Sequence, residues 1–260
     1  SPSRGENGCG AVAASQQPSE QVANSAEDPA NEPATSHSPP LRGRWPAGQR
    51  GVTASSNQGD GVVLGLALSH SQADSASLIS LANAAESLGA QDIRLAPDHG
   101  FFVTGLNRET AAKLREVAAS IGLLTNPNDP RRSIALCAGS RGCASAFVDT
   151  RVLAEKLLTH APALLDRSFA IHLSGCAKGC AHPAAAFMTL VGARAGYGLV
   201  VNGAASAEPL IYVAENDIDT ALQRLQALLR QSKEDGESSL ACLERLGAGA
   251  IAAALQLDRT

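Results

Sequence analysis

Hydrophobic and polar positions follow a regular pattern in two stretches of the chain, from Gly61 to Gly122 and from Arg131 to the end. In the first stretch the period alternates between that of strands and that of helices. Asn107 and Gly89 are typical of helix boundaries. The elements predicted, in chain order, are a strand at 62–68, a helix at 73–88, strands at 93–96 and 101–104 joined by a turn at 97–100, and a helix at 107–122.

The second stretch continues with more strands and helices, and a run rich in turn residues at 126–130 separates it from the first. It predicts strands at 133–136, 169–173, 187–191, 199–202 and 210–214, and helices at 142–160, from Asp217 onward, and at 240–255. We therefore predict an α+β fold, with a ferredoxin-like half domain at 59–127 and a second α+β domain with a central sheet at 128–260.

Residues 1–58 show neither period. They hold 7 of the 13 prolines and are rich in Ser, Ala, Asn, Gln and Glu, with Trp45 as their only aromatic residue. Such a segment cannot bury enough apolar surface to offset the entropy lost on ordering. We predict a disordered tail or linker, in which Cys9 is incidental.

The composition is most useful for excluding classes of function. The net charge of −4 argues against a nucleic-acid binder. No apolar run reaches the roughly eighteen residues of a membrane span, and no basic segment followed by an apolar one marks a secretory signal. We therefore expect a protein of the reducing cytoplasm, with no nucleic-acid or membrane partner.

Four of the six cysteines stand in two tight pairs. Cys137 and Cys143 form a C-x5-C pair, and Cys176 and Cys180 form a C-x3-C pair. Tight pairs in a chain without a secretory signal predict metal ligands rather than disulfides. Cys242 lies near leucines in a predicted helix, and we interpret it as a small core residue.

The two spacings predict different local geometries. Six residues turn a helix by about 240°, so Cys137 and Cys143 cannot share a helix face and at least one must lie on a loop. Cys176 and Cys180 would lie about 6 Å apart on one face of a helix. We also expect Cys143 and Cys180 near the starts of helices or of helical turns, where the positive helix end favours a thiolate.

Together, Cys137, Cys143, Cys176 and Cys180 are predicted to ligate one [4Fe–4S] cluster. Glycines accompany both pairs, and small residues let backbone N–H groups approach sulfur and stabilise the negative cluster. The main alternative is a structural zinc site with four cysteine ligands. Zinc sites usually use C-x2-C pairs, and neither pair has that spacing, which favours the cluster.

A resemblance to a known family appears in the run Leu173-Ser-Gly-Cys-Ala-Lys-Gly-Cys-Ala-His-Pro183. With the C-x5-C and C-x3-C order, it resembles the cluster motif of the sulfite/nitrite reductase superfamily. Siroheme reductases usually carry Gly-Cys-Pro-Asn-x-Cys, whereas Gly-Cys-Ala-Lys-Gly-Cys-Ala-His-Pro is similar to the precorrin-3B synthase branch. The likeness covers about residues 60–260, which resemble the second, cluster-bearing half of such enzymes.

This resemblance implies an oxidoreductase of aerobic cobalamin biosynthesis that converts the tetrapyrrole precorrin-3A to precorrin-3B. The reaction hydroxylates C20 of the macrocycle and closes a γ-lactone, with O2 as co-substrate and NADH as the electron source. A second iron centre is implied, either siroheme or mononuclear non-haem iron, and Cys180 would be the ligand closest to it. An electron donor protein is an expected partner. Family members have a preceding homologous half, which we expect to be missing here.

Basic residues near the cysteines are candidates for binding the carboxylates of a tetrapyrrole. Arg141 lies inside the first cysteine loop and Lys178 inside the second, and both are predicted to bind substrate. His182 could bond a carboxylate or hold iron, although capping of local backbone is the commoner role. His172 lies on an alternating strand that we expect to be half-buried, and it has no inferred role. Weaker candidates are Arg131, Arg132 and Arg194.

Two rival functions stay open. The first is a siroheme-dependent sulfite or nitrite reductase, and the missing Pro-Asn between Cys176 and Cys180 counts against it. The second is a non-catalytic [4Fe–4S] module that carries electrons or senses redox state.

Overall fold

The structure is a computed structural model that describes residues 61–96 and 99–256. The predicted tail at 1–58, with Cys9, lies outside the described residues, and so do two residues of the predicted turn at 97–100. Within the described residues, no helix is long and apolar enough to cross a membrane.

The first region pairs three antiparallel strands with two helices. In chain order it contains β1 (Val62–Ala67), α1 (Ser75–Ser87), β2 (Asp92–Ala96), β3 (Gly100–Leu106) and α2 (Arg108–Ser120), with β3 in the centre of the sheet. The Asn107 side chain accepts the N–H of Thr110, whose hydroxyl accepts the N–H of Asn107 in return, so a capping box begins α2 where the sequence predicts it. A cluster of buried residues that includes Leu64, Val103 and Leu114 holds this region together.

The second region is built on a five-stranded sheet of order β4-β5-β6-β7-β8. Its strands β4, β5 and β6 are parallel, and β6, β7 and β8 are antiparallel. The elements are β4 (Ile134–Leu136), α3 (Thr150–His160), β5 (Ile171–Ser174), β6 (Ala186–Ala193), β7 (Gly196–Gly203), β8 (Ile211–Val213), α4 (Ile218–Ser232) and α5 (Ser239–Leu255). The predicted α+β class is confirmed.

The helices pack on one face of this sheet and form the larger core. The apolar face predicted for α4 is buried, including Leu222, Leu225 and Leu229. Cys242 of α5 is fully buried in the same cluster, which confirms its interpretation as a core residue. Non-helical backbone at Gly247 interrupts α5.

Two sequence predictions in this region are wrong. All four residues of β5 are buried, so the strand is not half-buried; it lies between two parallel neighbours in a sheet that is covered on both faces. The helix predicted at 142–160 begins only at Thr150. The Asp149 side chain accepts the N–H groups of Arg151 and Val152 and caps the helix there.

Candidate metal centre

The two cysteine pairs begin at the same edge of the sheet. Because β4 and β5 are parallel, with Leu136 opposite Leu173, their carboxyl ends lie side by side. Cys137 follows β4 directly, and its N–H donates to the Leu173 carbonyl at 3.3 Å. The N–H of Gly175, which follows β5, donates to the Cys137 Sγ at 3.2 Å. A backbone donor from the second loop therefore already contacts a thiol of the first.

Residues 137–149, the first cysteine loop, close back on themselves. The N–H of Ser140 donates to the Val148 carbonyl at 2.9 Å, and the Thr150 hydroxyl donates to the Cys137 carbonyl at 2.7 Å. Gly139 has φ of +61°, and a Cβ there would lie 2.7 Å from the Thr150 nitrogen. Glycine is therefore required at this turn both by backbone conformation and by space.

The second cysteine loop, residues 175–185, is a series of turns rather than a helix. Gly179 has φ of +63°, which a right-handed helix does not accept, and the N–H of His182 bonds back to the Gly179 carbonyl at 3.1 Å. The prediction that Cys176 and Cys180 share a helix face is therefore wrong. Neither Cys143 nor Cys180 lies at the start of a helix, since α3 begins only at Thr150 and the second loop contains none. Cys143 instead opens a turn, in which its carbonyl accepts the N–H of Ala146 at 3.1 Å.

Close packing holds the two loops against each other. The N–H of Phe147 donates to the Gly175 carbonyl at 2.8 Å. A Cβ on Gly175 would lie 2.6 Å from the Cβ of Ala146 and 3.3 Å from the Cα of Gly139. The backbones can meet only because these residues are small.

Three of the four cysteines are half-buried, and Cys180 is exposed. Among the described residues, no three His, Cys, Asp or Glu side chains are grouped so that they could hold a single metal ion. The paired loops, the thiol donors and the N–H group directed at the Cys137 sulfur nevertheless fit the surroundings of an iron–sulfur cluster. The four-cysteine ligand set stays a prediction.

The two predicted substrate residues differ in their surroundings. Arg141 Nε lies 2.5 Å from Asp149 Oδ2, so its charge is paired. Burial acts to raise the pKa of Asp149, but the hydrogen bonds from Arg141 and from the backbone at Val152 and Arg151 prevail and hold that pKa below its usual value. The Arg141 guanidinium is thus committed to the first loop and to the cap of α3.

Lys178 reaches across to the other loop instead. Its Nζ donates to the Ser145 hydroxyl at 3.0 Å, and within the part of the chain that the structure describes no carboxylate forms an ion pair with it. Its charge is therefore available to an anion at the solvent-facing side of the loops. Arg194 lies in the turn between β6 and β7.

A cavity of about 110 Å³ lies beside the second cysteine loop. His182, His99, Arg131 and Arg132 line it together with apolar side chains. Arg131 is paired with Asp129 at 2.6 Å, and that pairing lowers the pKa of the carboxyl. The weaker candidates Arg131 and Arg132 therefore lie on the His182 side of the site.

His172 has surroundings that the sequence did not reveal. It is 1% exposed, and its cross-strand neighbour is Thr189, whose hydroxyl lies 3.5 Å from His172 Nδ1. Its Nε2 is buried and, within the described residues, has no hydrogen-bond partner. The His172 and His182 rings lie 5.6 Å apart between centroids. Burial, and to a smaller extent the neighbouring His182, lower the pKa of His172 to about 4, so its imidazole is neutral at physiological pH.

Comparison with known proteins gives one strong sequence relationship. A precorrin-3B synthase from Sinorhizobium sp is 54% identical over 194 residues, which are 75% of this chain and 42% of that protein. The resemblance to precorrin-3B synthase is confirmed. The hemoprotein beta-component of an NADPH sulfite reductase from Staphylococcus epidermidis is 30% identical over 162 residues, 56% of this chain and 28% of that protein. The chain thus spans less than half the length of either relative. No protein-family model matches the chain.

Two solved structures share the fold. The NirA protein of Mycobacterium tuberculosis superposes with a TM-score of 0.60 at 18% identity, covering 75% of this chain and 39% of that one. Dissimilatory sulfite reductase I superposes with a TM-score of 0.52 at 12% identity, covering 75% and 69%. These likenesses show that the chain shares its α+β fold with parts of NirA and of dissimilatory sulfite reductase I.

Proposed function

We propose that this chain is the cluster-bearing part of an oxidoreductase that converts precorrin-3A to precorrin-3B. The 54% identity to a precorrin-3B synthase carries the proposal. Because the chain spans 42% of that relative, we propose the activity for the whole protein rather than for residues 61–256 alone.

Within this proposal, Cys137, Cys143, Cys176 and Cys180 hold a [4Fe–4S] cluster, which when bound would supply electrons one at a time. Two features of the chain support this ligand set. The N–H of Gly175 stabilises negative charge on the Cys137 sulfur, and the parallel strands hold both loops at one edge. Cys180 is exposed, which suits a ligand that faces a second iron centre.

We propose that substrate binding depends on positive charge beside the cysteine loops. A precorrin carries several carboxylates, and Lys178 offers a cation that no carboxylate of the described residues neutralises. Arg141 is already paired with Asp149, so it would bind a carboxylate only by sharing or exchanging that partner. We propose O2 as co-substrate, NADH as the electron source and an electron donor protein as partner.

Anaerobic reconstitution with iron and sulfide tests the cluster. We expect about four irons and four sulfides per chain and a broad visible absorption. Single serine substitutions at the four cysteines should lower both contents, whereas Cys242→Ala, in α5, should lower neither. Purification of one zinc without sulfide, unchanged after reconstitution, would contradict the ligand assignment.

Oxygen uptake that depends on precorrin-3A tests the activity, measured on the full-length protein from which this chain comes. Lys178→Gln should raise KM for precorrin-3A while leaving the cluster content unchanged, and Arg94→Gln, on an exposed edge strand of the first region, serves as the matched loss of charge. No turnover of any tetrapyrrole by a protein with intact cluster would overturn the proposal.

A siroheme-dependent sulfite reductase is the second candidate, because the hemoprotein beta-component of an NADPH sulfite reductase is 30% identical over 162 residues. Siroheme absorption bands and sulfite or nitrite turnover in the purified protein would favour it. A protein with an intact cluster that turned over neither tetrapyrrole, sulfite nor nitrite would favour an electron-transfer or sensing module.

A further inference from the structure

An open groove of about 410 Å³ lies along α3, bounded by the first cysteine loop and by the turn at 69–72 that follows β1. None of the cysteines is among the described residues that line it. Its ionisable lining side chains are His70, Arg141, Arg151, Glu155, Lys156 and His160. Five of these six are basic and one is a carboxylate. A cleft lined mainly by one sign of charge concentrates ions of the opposite sign, so this groove favours an anion.

Two of the three permanent cations in the groove already have carboxylate partners. Arg141 Nε lies 2.5 Å from Asp149 Oδ2. Lys156 Nζ lies 2.6 Å from Asp219 Oδ1. These ion pairs reduce the attraction that Arg141 and Lys156 can exert on a ligand, and they leave Arg151 as the cation to be explained.

The partner of Arg151 is neutral. Its Nη2 donates to the side-chain carbonyl of Gln72, and within the part of the chain that the structure describes no carboxylate forms an ion pair with it. Its Nε is buried and has no hydrogen-bond partner among the described residues. Buried polar atoms are normally paired, and a guanidinium presents its donors in a fork that matches the oxygens of a phosphate or carboxylate. A bound oxyanion would therefore supply the partner that Arg151 lacks.

The position of Arg151 in α3 points to the same ligand. Asp149 caps this helix and Thr150 begins it, so Arg151 lies in the first turn, which contains no acidic residue. The positive end of a helix dipole favours anions and disfavours cations there. Arg151 is thus placed where local electrostatics oppose it, and an anion bound beside it would offset that cost.

The turn on the other side of the groove has a strained backbone. His70 and Ser71 have φ of +56° and +58°, in the left-handed region that costs residues other than glycine about 1 kcal/mol or more each. This turn directs His70 and Gln72 at α3, where His70 Nε2 lies 2.8 Å from Glu155 Oε1. Strained backbone of this kind is concentrated at sites that clamp a ligand. The pairing with His70 also offsets part of the negative charge of Glu155 in the groove.

We propose that this groove binds an oxyanion, a phosphate or carboxylate group, with Arg151 as its principal contact. Arg141 and Lys156 add positive charge around it. The proposed function names two compounds that carry such groups, NADH with its pyrophosphate and the tetrapyrrole with its carboxylates. Only the choice between these sources rests on the proposed function, because anion binding by the groove does not require it.

Titration calorimetry with inorganic pyrophosphate, at fixed ionic strength on the full-length protein from which this chain comes, tests the proposal. We expect saturable binding with a Kd of about 1 mM or lower. Arg151→Gln should weaken this binding roughly tenfold or more, because it removes a charge-assisted hydrogen-bond donor. Arg94→Gln, which removes an exposed guanidinium from β2, is the matched control and should bind as wild type.

Glu155→Gln provides a second test with the opposite sign. Its side chain is 61% exposed, so the substitution should leave the fold intact. Loss of the one carboxylate among the described lining residues should strengthen pyrophosphate binding roughly threefold or more. This variant decides the matter if Arg151→Gln fails to fold. No saturable binding by the wild type, or binding that both substitutions leave unchanged, would overturn the proposal.

Competition then distinguishes the sources of the anion. Displacement of pyrophosphate by NADH would assign the groove to the dinucleotide, and displacement by precorrin-3A would assign it to a substrate carboxylate. Displacement by neither would support a site for a free phosphate-type anion. Binding of an acidic protein without any binding of pyrophosphate would contradict the oxyanion site. A protein without cluster or turnover that still bound pyrophosphate through Arg151 would refute the proposed function and leave the groove proposal standing.

Discussion

Gly175→Ala is the most direct test of how the two cysteine loops are assembled. The added Cβ would lie 2.6 Å from the Cβ of Ala146 and 3.3 Å from the Cα of Gly139. Neither atom is the end of a flexible side chain, so the backbone of one loop must move. The movement would disturb both hydrogen bonds of Gly175, its N–H to the Cys137 sulfur and its carbonyl to the N–H of Phe147.

The expected cost follows from these contacts. Overpacking a close-packed site costs about 1–3 kcal/mol, and weakening one interloop hydrogen bond adds about 1 kcal/mol. With a urea m-value of about 2 kcal/mol/M, the unfolding midpoint of the cluster-free protein should fall by roughly 1–2 M. Cluster incorporation should fall as well, because the N–H group that contacts Cys137 is displaced.

Urea unfolding of the cluster-free protein, followed by circular dichroism, measures the first effect, and sulfide content after reconstitution measures the second. Gly249→Ala is the matched control, since a Cβ there meets no atom within 4 Å and the residue lies in α5. It should stabilise the protein by about 0.5–1 kcal/mol through helix propensity. An unchanged midpoint together with normal sulfide content in Gly175→Ala would refute the close packing of the loops.

Three further predictions concern other parts of the second region. Asp149→Ala should cost about 1 kcal/mol by removing the cap of α3, measured by urea unfolding, whereas Asp149→Asn, which can still cap, should cost less even though both changes release Arg141. Burial acts to raise the pKa of Asp166, but hydrogen bonds from serine side chains and backbone prevail and lower it from 3.8 to about 2. Because the folded-state pKa is the lower one, this contribution to stability should be complete above about pH 4 and lost between pH 4 and 2, and Asp166→Asn should flatten that limb of the stability profile. In cluster-free protein, iodoacetamide should modify exposed Cys180 well before Cys242, whose pKa is raised by burial, and equal rates by mass spectrometry would contradict the assigned burial.

Much of the fold could be predicted because its signals are local. The capping residue Asn107 and the apolar stripe of α4 depend on neighbours within a few positions. The wrong predictions occur where contacts with residues distant in the sequence decide the structure. β5 is fully buried because the sheet is covered on both faces, and a pattern within one strand cannot report what packs against it.

The site was predicted less completely than the fold. Spacing identified the four cysteines, but the helix drawn through Cys176 and Cys180 ignored Gly179, whose positive φ ends any helical turn. The helix drawn through Cys143 ignored the capping residue Asp149. If Gly179 had been taken as a helix breaker and Asp149 as a helix cap, both predictions could have been corrected from sequence alone.

His172 could not have been found in that way, because its significance depends on strand register. It lies opposite Thr189 on β6, which lies opposite Val200 on β7, so it shares a face with the small cluster formed by Val191, Val200 and Ala205. A Cβ on Gly179 would lie 3.1 Å from Ala205, so the second cysteine loop covers this same face. Burial of His172 is thus a consequence of where that loop packs.

The register of β4 against β5 therefore positions both the Cys137 thiol and His172. With Leu136 opposite Leu173, Cys137 receives the N–H of Gly175, and His172 points away from the larger core toward the second loop and His182. Side chains alternate along a strand, so a slip of one residue would send His172 into the larger core and move the thiol away from its donor. The apolar residues Ile171 and Leu173, buried in that core, oppose such a slip. The packing of Ile171 and Leu173 in the larger core thus holds the Cys137 thiol and His172 in their places.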